Sequence, residues 1–138
     1  MKHRKLIMIP AIFIAFSVFG QTSVYPTRQV VEHHLNAGNS RNLDEIMLDY
    51  ADDAILIAPD GVNKGKPAIQ AAFQQLFTQD PYPVITLTRE VYEGDVGYIV
   101  WTMNTGQPGA LQGSDTFIIR EGKIVVQTVA VLPPPAQP

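Results

Sequence analysis

From residue 84 onward the chain alternates with a period of two. Residues 84–92, 96–104, 111–120 and 123–132 each carry apolar side chains at every other position, the pattern of strands with one buried face. Gly94-Asp95, residues 105–109 and Glu121-Gly122 separate them. Glu121-Gly122 is a tight hairpin signal, so the last two strands are expected to pair antiparallel. A four-stranded meander of this kind has an apolar face that another layer must cover.

The preceding segments supply that layer. Residues 28–36 (RQVVEHHLN) place Val30, Val31, His34 and Leu35 on one helical face, and Gly38 and Asn39 are suited to a left-handed cap. Asn42 is placed to cap a short helix over 43–50, with Glu45 at its third position and Ile46, Met47 and Tyr50 as its stripe. Residues 54–58 (AILIA) read as a short strand, and Pro59-Asp60-Gly61 as a turn. Residues 61–65 (GVNKG) continue as a turn and not as a phosphate loop. A third helix is expected over 66–77, with Pro67 in its first turn and Ile69, Phe73, Leu76 and Phe77 as its buried stripe. Three helices and a meander predict an α+β domain: one curved antiparallel sheet wrapped around the helices, with room for a pocket on its concave side.

The N-terminus differs from the rest. A basic start, MKHRK, precedes the apolar run LIMIPAIFIAFSVF, and Val18-Phe19-Gly20 offers a cleavage site before Gln21. This is the anatomy of a secretory signal peptide, and the run is short for a membrane span; an uncleaved anchor is the alternative. The expected organisation is a signal peptide over 1–20, one domain over 21–132 and a frayed Pro-rich tail over 133–138, with a secreted or periplasmic mature protein. Cleavage would remove three of the ten basic residues and none of the thirteen acids, leaving a net charge near minus six. Such acidity argues against nucleic-acid and anionic-membrane partners. The chain has no Cys, which excludes disulfides and a lipidated cysteine.

The stretches YADDAILIAPDG (50–61), GKPAIQAAF (65–73) and SDTFIIREGKI (114–124) resemble the nuclear transport factor 2-like superfamily, a cone-shaped α+β fold. Within it the chain is similar to the SnoaL-like polyketide cyclases and ketosteroid isomerases. The superfold hosts isomerases, dehydratases, epoxide hydrolases, cyclases and plain binding modules, so the likeness bears on fold more than on activity. The isomerases use one carboxylate as base, and a tyrosine with a neutral carboxylic acid as donors to an oxyanion. Carried over by position, the resemblance puts the base on Ala58, which cannot take a proton, the acid on Asp115 and the oxyanion tyrosine on His34. Tyr50 matches a supporting tyrosine, and Phe73 stands where another would be.

Asp115 alternates with Phe117 and Ile119; on a concave face it is a desolvated carboxylate, and on an edge it pairs with Arg120 or a backbone amide. His34 is an acid/base or a helix histidine satisfied by a carbonyl. His33 is expected to be solvated, and Asp52 and Asp53 to cap or pair at the surface. Tyr98, Val100 and Thr102 share one face of their strand and have the polar handles of a pocket. Ile99, Trp101 and Met103 share the other, which suggests an outer face and a homodimer through it. Gln127 alternates with Val129 and Val131 and is expected to point inward.

The two histidines beyond residue 20 are adjacent and lack the His-x-x-x-His metal spacing. No cofactor motif is present, and Ser114 has no triad partner legible in sequence. The expectation is therefore an exported domain whose pocket takes a small apolar or aromatic molecule. Its candidate catalytic residues are His34 and Asp115; its candidate ligand-binding residues are Tyr50, Ala58, Tyr98, Thr102, Phe117 and Gln127. The chemistry expected of it is proton transfer of isomerase, cyclase or lyase type. The alternative is a non-catalytic ligand-binding or assembly domain that has lost the base at Ala58.

Overall fold

The computed structural model describes residues 24–104 and 110–132. The expected signal segment 1–20, the turn over 105–109 and the tail over 133–138 lie outside the described residues. The order is α1 (Val24–Asn39), α2 (Leu43–Asp49), β1 (Tyr50–Ala58), β2 (Gly61–Lys64), α3 (Lys66–Leu76), β3 (Ile85–Glu93), β4 (Val96–Met103), β5 (Leu111–Arg120) and β6 (Lys123–Leu132). The strands form one sheet in the order β2-β1-β6-β5-β4-β3.

The meander is β3 to β6, with every neighbouring pair antiparallel. Two features go beyond the expectation. The segment read as a turn over 61–65 pairs with β1 as the edge strand β2, and β1 lies parallel to β6. The sheet is therefore mixed, with six strands. Register shifts interrupt the pairing between Leu87 and Arg89, between Ile118 and Ile119, and between Tyr50 and Ile55. Irregularities of this kind bend a strand and sharpen its twist, which curves the sheet around its helices.

Helix α1 runs through Gly38 and Asn39. The left-handed residue that ends it is Arg41, at φ 54°. Asn42 N–H donates to the Ala37 carbonyl at 2.9 Å and Arg41 N–H to the Gly38 carbonyl at 3.0 Å, the two bonds of a Schellman motif. Asn42 then caps α2, accepting from Glu45 N–H at 3.2 Å. One residue thus closes one helix and opens the next, which folds α2 back against α1. The stacking of the Arg41 guanidinium on the Tyr82 ring, 4.3 Å from its centroid, holds the strained residue in place.

The helices cover the concave face: α1 packs on β3, β4 and β5, and α3 on β1 and β2. The core joins Val31 of α1, Ile46 of α2 and Ile69 of α3 to Tyr50, Ala54, Ile99, Phe117 and Ile124 of the sheet, all without solvent exposure. Burying a large apolar side chain of this kind contributes roughly 1.5–3 kcal/mol relative to exposure.

Candidate functional site

Strand β5 supplies the centre of the site. Gly113, Asp115, Phe117 and Ile119 alternate inward, all buried. Asp115 pairs with Ile99 of β4 on one side and Val129 of β6 on the other, so the inward residues of the neighbours are Ile99, Trp101 and Met103, and Gln127, Val129 and Val131. This reverses the assignment of β4. Tyr98 and Thr102 lie on the outer face, with Tyr98 39% exposed, while Trp101 is 1% exposed and inside. The alternation of β4 holds with the opposite phase: the register that brings Asp115 inward obliges Trp101 to accompany it and turns the polar Tyr98 and Thr102 outward. The same finding removes Trp101 and Met103 from the outer surface, where they had suggested a dimer contact.

Between the helices and this face lies a cavity of about 550 Å³, within the range of small-molecule sites. His34, Ala58, Asp115 and Gln127 all line it, with Leu56, Phe73, Trp101 and Val129 among its apolar walls. Tyr50 and Phe117, also expected to touch a ligand, are fully buried behind that lining.

The polar groups at its buried end form a chain. Tyr50 O–H donates to Gln127 Oε1. Gln127 Nε2 donates to Asp115 Oδ2 at 2.7 Å, and Trp101 Nε1 donates to Asp115 Oδ1 at 2.8 Å. Burial pushes the Asp115 carboxyl above its ordinary range, and these two donors pull it back only in part. Tyr50 is also raised well above its ordinary value, chiefly by burial and then by the charges of Asp115 and Asp49. The alternatives of an edge position and a pairing with Arg120 do not hold: Arg120 faces Asp95 at 3.9 Å.

His34 stands on α1, caged edge-on by Tyr50, Phe73 and Phe117 with ring centroids 5.4–5.8 Å away. Its Nδ1 is buried with no hydrogen-bond partner among the described residues, so the carbonyl-satisfied helix histidine is not what is seen. Burial, helped by the neighbouring His33, lowers it to about 4. His34 is therefore a neutral imidazole at pH 7.

His33 is exposed, as expected, yet engaged. Its Nδ1 lies 2.8 and 2.9 Å from the two oxygens of Asp49, and its Nε2 3.1 Å from Glu45. Each ring nitrogen of His33 faces a carboxyl group, an arrangement that favours the imidazolium; the Asp49 hydrogen bond is the main cause of its raised pKa. Asp49 Oδ2 is also 3.9 Å from His34 Nδ1. That negative charge favours the His34 tautomer with its proton on Nδ1, leaving the lone pair on Nε2. Asp49 was not singled out in the sequence, because its contact with the histidines depends on how α2 folds back on α1. Among the described residues no cluster of three or more His, Cys, Asp or Glu could hold a metal ion.

Comparison with known proteins agrees with this architecture. The SnoaL-like domain family matches residues 31–127. Among solved structures, a nuclear transport factor 2-like protein of unknown function from Burkholderia xenovorans superposes with a TM-score of 0.69 at 21% identity, covering 83% of this chain and 88% of that one. A protein provisionally assigned as a ketosteroid isomerase, from Kribbella flavida, gives 0.67 at 19%, covering 81% and 84%. A provisional polyketide cyclase from Sinorhizobium meliloti gives 0.67 at 16%, covering 78% and 99%. No curated protein matches the sequence. With three helices on a curved six-stranded sheet like that of nuclear transport factor 2-like proteins, and a family match over most of its described length, the chain belongs to the SnoaL-like domain family.

Proposed function

We propose that this domain binds a small, largely apolar organic molecule in the cavity, and that His34 and Asp115 carry any proton transfer it performs. The observation behind this reading is that a neutral buried imidazole and a desolvated carboxylate open onto one apolar cavity; perturbed groups convergent on a cleft are the usual mark of a functional site. His34 would act as acid/base, and Asp115 as its electrostatic or hydrogen-bonding partner.

Ala58 lines the cavity and offers a methyl group where an isomerase of this fold would hold its base. General acid–base catalysis contributes on the order of 10²- to 10⁴-fold, so wild-type protein should show negligible turnover of a 3-oxo-Δ⁵ steroid, and Ala58→Asp should gain some. Robust wild-type isomerisation would end this reading. A second reading, a binding domain without catalysis, is favoured by the inward-turned hydrogen bonds: Tyr50, Trp101 and Gln127 donate within the protein. Native mass spectrometry of protein purified from its own compartment, showing an intact ligand or a product, separates the two.

Two further proposals concern the protein's setting. Export with removal of residues 1–20 predicts a mature N-terminus near Gln21; natural protein retaining Met1 would refute it. A homodimer through the outer sheet face fits the half-exposed Ile57, Val91, Val96 and Tyr98 there. Sedimentation should give a dimer that Tyr98→Asp shifts toward monomer, and a wild-type monomer at all concentrations counts against it.

A further inference from the structure

Most hydrogen-bond donors at the buried end of the cavity are already engaged. Trp101 Nε1–H and one Gln127 amide hydrogen point at Asp115, and the Tyr50 hydroxyl points at Gln127. Two more lining residues are occupied as well. The Tyr82 hydroxyl donates to the Gly38 carbonyl at 2.6 Å. The Asn39 amide is clamped at both ends on the Ile85 backbone, at 2.9 Å each. Gln127 retains one amide hydrogen, and the other lining amides, Asn63, Gln79 and Asn104, are at less buried positions where water competes.

Acceptor capacity is what remains. Each Asp115 oxygen accepts one bond and has a further lone pair. His34 turns Nδ1 toward Asp49, 3.9 Å away and outside the lining, and a neutral ring with its proton on that side keeps its lone pair on Nε2. Charge points the same way: among the described residues the lining includes Asp60 and Asp115 and no Lys or Arg.

We infer that the cavity selects an apolar molecule, neutral or cationic, that brings its own O–H or N–H donor to Asp115 or His34, and that it discriminates against ketones and carboxylates. This rests on the cavity being a small-molecule site, and it specifies the class of molecule. A hydroxyl or ammonium placed there finds an acceptor. A ketone leaves its carbonyl unpaired in a desolvated site, and a carboxylate meets like charge.

A series on one skeleton tests this: 2-aminotetralin, 2-tetralol, tetralin, 2-tetralone and tetralin-2-carboxylate. Trp101 is the only tryptophan and lines the cavity, so its emission reports binding, with calorimetry in parallel. The amine and the alcohol should bind about tenfold or more tighter than the ketone and measurably tighter than tetralin, with the carboxylate weakest; tenfold corresponds to about 1.4 kcal/mol. A ketone or carboxylate bound as tightly as the alcohol, or an alcohol no better than tetralin, overturns the inference. If no member binds, tetralin included, the small-molecule reading itself falls. Asp115→Asn, which adds an amide donor, should bring the ketone within a few fold of the alcohol. Should that variant not fold, the wild-type order decides alone.

Discussion

Lowering the pH from 7 to 5 should cost the domain about 2 kcal/mol of stability through His34 alone, and His34→Phe should abolish that component. The ring is buried at 4% exposure, and burial together with His33 lowers its pKa from 6.5 to about 4. The sign follows from that direction. In the unfolded chain the imidazole takes up a proton as pH falls through 6.5, while in the native state it does not until about 4. The unfolded state therefore binds more protons throughout this window, and the stability present above it is lost as pH falls. His33, Asp49 and Asp115 also titrate, but both proteins share them, so the difference between wild type and variant isolates His34. At pH 7 the variant should stay within about 1 kcal/mol of wild type, because Nδ1 has no hydrogen bond to lose and an apolar ring replaces an unpaired polar atom. Urea unfolding at pH 7, 6 and 5 gives both curves. A stability difference that does not change with pH would show that His34 titrates as a solvated histidine.

Local pattern made the helix stripes legible. Val31, His34 and Leu35 recur at helical spacing and are buried together, because the period of a helix fixes which side chains share a face. The same logic applied to a strand puts Asp115 on one face with Phe117 and Ile119, which are buried with it. What stayed illegible depended on contacts between distant segments. GVNK carries a single large apolar residue, Val62, so nothing in it marks an edge strand; it pairs only because β1 presents its free side. The parallel register of β1 on β6 joins residues some seventy positions apart, and no local pattern encodes it. Arg41, not Gly38, takes the left-handed turn, since the Tyr82 stack and the link to α2 are tertiary.

The phase of β4 was the consequential miss, and a size relation across the hairpin could have corrected it. Trp101 pairs with Gly113. A large ring opposite a residue with no side chain marks the inward face, because the indole needs the space that Gly113 leaves. Once Trp101 is inward, its N–H becomes a donor to Asp115, and the candidate site changes from a lone carboxylate to a carboxylate held by two donors. The effect on chemistry is direct: two buried donors that could otherwise face a ligand are turned to the protein's own carboxylate.

Gly113→Ala should therefore be among the most damaging single substitutions available. A Cβ at this position would lie 2.4 Å from the Ala130 carbonyl oxygen and 2.4 and 2.6 Å from Cζ2 and Cη2 of Trp101, distances that no pair of such atoms tolerates. The first neighbour is backbone of the adjoining strand β6, and the second is a fully packed ring, so neither yields cheaply. Overpacking of this kind costs about 1–3 kcal/mol and sometimes more. Displacing the indole also breaks its hydrogen bond to Asp115, worth about 1.5–3 kcal/mol where a charged group is involved. The expected loss is about 3–5 kcal/mol, a large part of the roughly 5–15 kcal/mol that holds a domain of this size together. The same displacement should appear in the site: Trp101 emission should shift to the red, and affinity for any cavity ligand should fall. Placed in a Trp101→Val background, Gly113→Ala should cost less, because the ring atoms it strikes are gone while the Ala130 carbonyl remains; the double-mutant cycle measures that coupling. A loss below about 1 kcal/mol with unchanged Trp101 emission would mean that the Trp101–Gly113 pairing is looser than described, and with it the positioning of Asp115.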